Sequence, residues 1–152
     1  MKEKVFVLGC IILFFMVIIS GCVKKESQLQ LTITTDKTSY ATGEIINISL
    51  MVINSYSHDF ELNMTGNTTY VINVYNSNNQ LTYGSNYWDV WGKITIPANS
   101  EKTVVENYTW NQTSSIDDKQ VSPGAYRIDA KIVYVDNNKT SELESNRSIT
   151  IS

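Results

Sequence analysis

The stretch AYRIDAKIVYV, residues 125–135, alternates Tyr126, Ile128, Ala130, Ile132 and Tyr134 with Arg127, Asp129 and Lys131. A period of two sustained over this length marks a β-strand with one buried face and one wet face. A shift of register by one residue would bury the three charges, so the pairing of this strand is strongly specified. Immediately before it stands Pro123-Gly124. Proline presets φ for the second position of a turn and glycine accepts the positive φ of the third, so the chain reverses here and the strand begins.

The same period recurs on both sides of this stretch. Leu29, Leu31 and Ile33 alternate with Gln30, Thr32 and Thr34; Ile46, Ile48, Leu50 and Val52 share one face; Phe60, Leu62 and Met64 form a third set and Tyr70, Ile72 and Val74 a fourth. Val104, Tyr108 and Trp110 define a later strand in which Glu106 is discordant, and Ile149 and Ile151 predict a short final one. Turn signals fall between them at residues 35–44 (TDKTSYATGE) and 76–80 (NSNNQ). No window carries a sustained 3.6-residue apolar stripe. Short strands at this spacing predict an all-β fold, an antiparallel immunoglobulin-like β-sandwich of about seven to eight strands, with a small barrel as the rival arrangement. There is no internal repeat and no second domain in the pattern.

The first residues read differently. Lys2 and Lys4 precede an apolar run from Val5 to Ile19, the layout of a secretory signal segment, and the run falls short of the roughly 20 residues that span a bilayer comfortably. It ends in Ile19-Ser20-Gly21-Cys22, which resembles a prokaryotic lipobox. The expected organisation is therefore a lipoprotein signal peptide over 1–21, a tether over 22–28 with Cys22 lipidated, and one domain over 29–152. An uncleaved anchor would equally put the domain on the outer face of the cytoplasmic membrane. Cys10 would leave with the signal and Cys22 would be acylated, so the mature domain has no thiol for disulfides, metal or nucleophilic chemistry. Loss of Lys2, Glu3 and Lys4 turns 12 basic and 15 acidic residues into 10 and 14, a net charge of −4. That balance does not suggest a nucleic-acid partner.

The segments YVINVYNSNNQL (70–81), ITIPANSEKTVVENYTW (94–110) and VSPGAYRIDAKI (121–132) resemble the intracellular proteinase inhibitor, or BsuPI-like, domain family. The matching positions are Tyr70 at the head of a strand, Pro97 at a turn, Trp110 at a strand end, and Val121, Pro123, Gly124 and Tyr126 in the final signature; Asn54 stands where the family has an Asn-rich turn. The resemblance spans roughly residues 45 to 135. It departs from the family at Ala98-Asn99, where Gly-Glu is usual, and between Tyr83 and Ile94, which is shorter and richer in tryptophan. The resemblance implies a β-sandwich that presents loops to a proteinase cleft.

Residues that carry chemistry are sparse. His58 is the one histidine, and the sequence holds no HExxH, Cys pair, nucleophile elbow or phosphate loop. Asp117-Asp118 and Asp136 read as solvated loop charges, since calcium needs about 6–8 oxygen ligands and no loop signature is present. The expectation is a binding protein and not an enzyme, monomeric, with no cofactor and no metal. Two features point to a partner. Tyr83, Tyr87, Trp88 and Trp91 crowd the segment LTYGSNYWDVWGK (81–93), either as an exposed platform for sugar rings or a partner protein in the envelope, or as core packing residues. Asn47, Asn63, Asn67, Asn107, Asn111, Asn138 and Asn146 each have Ser or Thr two places on. With 15 asparagines and Ser plus Thr near a fifth of the chain, chance gives about three such acceptor sites. Glycosylation of an exported, archaeal protein explains the excess; an asparagine-rich codon bias combined with β-favouring threonine explains it equally well.

Overall fold

In the computed structural model, which describes residues 28–64, 70–85 and 92–152, the chain forms ten strands: β1 (Leu29–Thr35), β2 (Ser39–Tyr40), β3 (Ile46–Asn54), β4 (Phe60–Met64), β5 (Tyr70–Asn76), β6 (Leu81–Gly84), β7 (Gly92–Ile96), β8 (Ser100–Trp110), β9 (Gly124–Asp136) and β10 (Lys139–Ile151). The alternating sets of the sequence are the inward faces of seven of these. The three extra strands, β2, β6 and β7, are short, and β2 lies inside the stretch predicted as turn. The all-β sandwich stands: β1-β3-β8 form one sheet, and β2-β10-β9-β4-β7 form the other, with β5 paired to β9 and β6 to β5. One pairing breaks the antiparallel rule. β2 runs parallel to the end of β10, with Ile151 beside Tyr40.

The strand quoted at the outset is the spine of the larger sheet. β9 pairs with β10 over their whole lengths, with β5 from Tyr126 to Ile132, and with β4 at Val135. Its inward residues Tyr126, Ile128, Ala130, Ile132 and Tyr134 are buried, and they meet Ile46, Ile48, Leu50 and Val52 of β3, none of which is exposed at all. Burying each such side chain contributes about 1.5–3 kcal/mol.

β10 corrects the expectation of a short last strand. It runs 13 residues and joins β9 through Asn137 and Asn138, whose φ values of 47° and 61° are those of a two-residue hairpin turn that matches the twist of the strands. The apolar alternation is broken because Ser141 holds the inward position before Leu143, and Ser145 and Arg147 hold those between Leu143 and Ile149. β8 explains the discordant Glu106. Ile48 faces Tyr108 while Leu50 faces Val105, so β8 carries an extra residue there, and Asn107 takes φ 55°. A bulge of this kind reverses the parity beyond it, and a second register shift between Leu50 and Met51 restores it.

Three polar side chains lock the connections. Buried Asn54 donates from Nδ2 to the carbonyls of His58, Ile96 and Pro97, each at 3.0 Å, and its Oδ1 accepts from Tyr56 N at 2.9 Å. Buried Gln112 donates to the carbonyls of Ala41 (2.9 Å) and Glu44 (2.8 Å) and accepts from Gly43 N at 2.9 Å. Tyr126 donates its hydroxyl to the carbonyl of Ser122 at 2.6 Å, closing a tyrosine corner over the Pro123-Gly124 turn.

Two stability outcomes follow from these contacts. Asn54→Ala leaves three carbonyls and one N–H short of partners and should cost about 1–3 kcal/mol in urea unfolding; a change under about 0.5 kcal/mol would mean that water replaces the amide. Gly124 has φ 156° and open space around it, its nearest neighbour to an added Cβ being Tyr126 at 4.0 Å. Gly124→Val should therefore destabilise through the backbone alone, by about 1–3 kcal/mol, and an unaltered melting temperature would contradict this.

Candidate functional site

The outward face of β5, β9 and β10 carries a different kind of row from the inward one. Register aligns Asn146 with Asp129 and Asp129 with Asn73, so an amide, a carboxylate and an amide cross three adjacent strands. With strands about 4.8 Å apart the row is roughly 10 Å long. Gly84 of β6 is the next partner of Asn73, and a Cβ there would come within 3.2 Å of Asn73 Oδ1; the glycine leaves room for that carboxamide. Above and below the row stand Tyr75 and Val71 on β5 and Lys131 and Glu144 on β9 and β10. Together these residues line a shallow groove of about 340 Å³.

The groove is held in shape by its own charges. Arg127 grips Asp129 with two hydrogen bonds, Nε to Oδ1 at 2.7 Å and Nη2 to Oδ2 at 3.1 Å, donates a third from Nη1 to Asn79 Oδ1 at 2.9 Å, and lies 5.0 Å over the Tyr75 ring. The hydrogen bonds from Arg127 to Asp129 and the attraction of that carboxylate raise the guanidinium above its ordinary range. Lys131 reaches Glu142 at 3.4 Å, and both are partly open to solvent, so that pair contributes at most about 1 kcal/mol.

The aromatic segment is placed only in part. Tyr87, Trp88 and Trp91 lie outside the described residues, as do Cys22 and Asn67. Tyr83 is half-buried and built into the sandwich: its ring centroid is 5.9 Å from that of Trp110 and its hydroxyl is 2.5 Å from that of Tyr108. Burial first, and the hydrogen bond with Tyr83 second, push the Tyr108 phenol well above the usual tyrosine range. Trp110 is 1% exposed and donates Nε1–H to the carbonyl of Thr113.

The sequon asparagines fall into three settings. Asn47 and Asn107 sit side by side on β3 and β8: Asn47 faces Thr109, and Asn107 N donates to Ser49 Oγ, so each acceptor lies against the other's hydroxyl residue. Asn63 is half-buried on β4, with Nδ2 3.5 Å from the carbonyl of Val135. Asn111, Asn138 and Asn146 are exposed, the first accepting from Thr113 in a local turn, the second at the β9–β10 hairpin tip, the third in the groove. Sequence reading had singled out Asn146 as a sequon but missed its neighbours Asn73, Tyr75 and Asp129. The available signal was Tyr75, an aromatic on the polar parity of its strand.

The class these features define is an all-β, immunoglobulin-like sandwich with a polar groove on its larger sheet. No protein-family profile matches the chain, and no curated protein matches it. Among solved structures it is similar to the sporulation control protein Spo0M from Bacillus subtilis, with TM-score 0.51 and 10% identity over 82% of this chain and 49% of that one. It is also similar to a DUF4785 family protein from Legionella pneumophila, with TM-score 0.50 and 11% identity over 85% of this chain and 30% of that one. The chain thus spans about half or less of the length of these relatives, and at such identities the likeness is one of fold.

Tyr83→Ala separates packing from display. A packed tyrosine should cost about 3–5 kcal/mol on truncation, whereas an exposed one costs under about 0.5 kcal/mol. Because Tyr83 is half-buried against Trp110, thermal unfolding should show a loss between those two limits; a shift within a degree or two would return the residue to the surface.

Proposed function

We propose that this protein is a lipid-anchored, extracytoplasmic binding module, held by Cys22 at the outer face of the cytoplasmic membrane and acting through the outward face of its larger sheet. The observation that carries the reading is the groove across β5, β9 and β10, in which Arg127 holds Asp129 in register with Asn73 and Asn146 on the outward face. The sequence supports the location, through the basic head, the apolar run and Ile19-Ser20-Gly21-Cys22. Its partner is a protein or glycan of the envelope. The domain works as a monomer without cofactor or metal, and in an organism that glycosylates this sequon its exposed sites at Asn111 and Asn138 are available to carry glycan. A single acyl chain gives only marginal, reversible attachment, so two chains are expected on the new N-terminus.

Inhibition of a proteinase is the second reading, implied by the BsuPI-like resemblance and favoured by one observation. The turn after β3 is braced from two sides: Asn54 bonds to it through Tyr56 N and the carbonyl of His58, and Tyr56 stacks on Phe60 at 5.7 Å with 12° between the rings. An inhibitor needs a loop that resists deformation in the cleft, since preorganisation lowers the cost of binding.

Location is tested by fractionation. Wild-type protein should remain with membranes through a carbonate wash, and Cys22→Ser should appear in the soluble fraction or as uncleaved precursor. A Cys22→Ser chain processed to the same mature length and still membrane-bound would remove the lipid anchor from the account.

A further inference from the structure

We propose that the groove is a binding site for an uncharged saccharide of the envelope, lying across the Asn73–Asp129–Asn146 row. This deepens the reading above and rests on it for the setting in which such a ligand is met.

A carboxamide donates and accepts, and a carboxylate accepts. Side chains that alternate amide, carboxylate, amide across adjacent strands complement a ligand whose every polar group both donates and accepts, and a run of hydroxyls does that. Arg127 occupies one lone pair on each oxygen of Asp129, and a carboxylate has about four such sites, so each oxygen keeps a free one turned elsewhere. The same grip fixes the rotamer of Asp129 before any ligand arrives, which lowers the ordering cost of binding.

Charge argues for neutrality. Arg127 and Lys131 are met within the face by Asp129 and Glu142, with Glu144 alongside. A polyanion would face the carboxylates and a polycation the two bases, and either would have to displace ion pairs already made. Val71 and Tyr75 flank the row on opposite sides; Arg127 covers one face of the Tyr75 ring, and the remaining apolar surface at the two borders suits the C–H groups of a sugar ring. A volume of about 340 Å³ sits at the small end of ligand sites, which run from about 300 to 1,000 Å³.

Asn146 adds a condition. It lines the groove and is also a sequon asparagine. A glycan attached there would start inside the groove and exclude a free saccharide, so the site is open only where Asn146 is unmodified.

The test uses the full chain, purified in detergent from a bacterial host that leaves the sequon unmodified and titrated by calorimetry with chitotetraose, cellotetraose and maltotetraose. Saturable binding of at least one is expected. Asn73→Ala and Asn146→Ala should each weaken it about tenfold or more while the melting temperature holds within a few degrees, and Thr32→Ala on the other sheet should leave it unchanged. Binding of none of the three, binding that survives both row substitutions, or tighter binding of an acidic or basic peptide would overturn the proposal. Chain from a glycosylating host should not bind when Asn146 is occupied, and Ser148→Ala, which removes the sequon but keeps Asn146, should restore binding. A modified chain that binds as well as the bare one would also overturn it. Since membrane attachment is read by fractionation and not by titration, an anchored chain that binds no sugar sinks only the groove, and a sugar-binding chain that is not anchored sinks only the location.

Discussion

If β9 slipped by one residue, Arg127, Asp129 and Lys131 would enter the core and Ile128, Ile132 and Tyr134 would face water. Burying even one unpaired charge costs more than the whole net stability of a domain this size can spare, which is about 5–15 kcal/mol. The register of β9 is therefore not free, and because β10, β5 and β4 all pair with it, theirs is not free either. The tyrosine corner fixes where β9 starts, and the Asn137-Asn138 hairpin fixes where β10 returns. Between those two points each residue of the larger sheet has one place to go.

The groove is a by-product of the same constraint. The polar parity that keeps Arg127, Asp129 and Lys131 out of the core sets them on one outward line, and pairing on either side brings Asn73 and Asn146 level with Asp129. No loop has to be shaped to make this site; rigid strands carry it. Such an arrangement favours precision over adaptability, since strand backbones move little compared with loops. The smaller sheet differs. Its outward face is largely threonine, serine and asparagine, with the two facing sequons of β3 and β8 near one end.

The fold was legible where inward faces are apolar without interruption, as in β3, where Ile46, Ile48, Leu50 and Val52 are consecutive inward residues. It was illegible where the sheet tolerates polar residues inside. Ser145 and Arg147 hid most of β10, and Arg147 sits inward because its Nε can reach Thr35 Oγ1 at 2.6 Å at the open side of the sandwich. β2 and β6 are too short to express a period at all. The groove was hidden for another reason: Asn73, Asp129 and Asn146 are 56 and 17 positions apart along the chain, and only the ladder brings them together. Tyr83 was visible as an aromatic, but nothing in the sequence announces that its hydroxyl meets that of Tyr108.

The hydrogen bond from Ser55 N to the carbonyl of Gln28 would set how the domain stands over a bilayer if Cys22 carries lipid. It fastens the first described residue to the end of the sandwich that holds the Asn54 clamp and the turns after β3 and β7. Gln28 lies six positions beyond Cys22, and a fully extended chain over six steps reaches only about 20 Å. With a lipid at Cys22, that end would hover near the headgroups and the opposite end, with the Gln112 knot and the chain terminus at Ser152, would point away. A long polymer would then approach the larger sheet from the flank, running alongside the membrane surface and not down onto it.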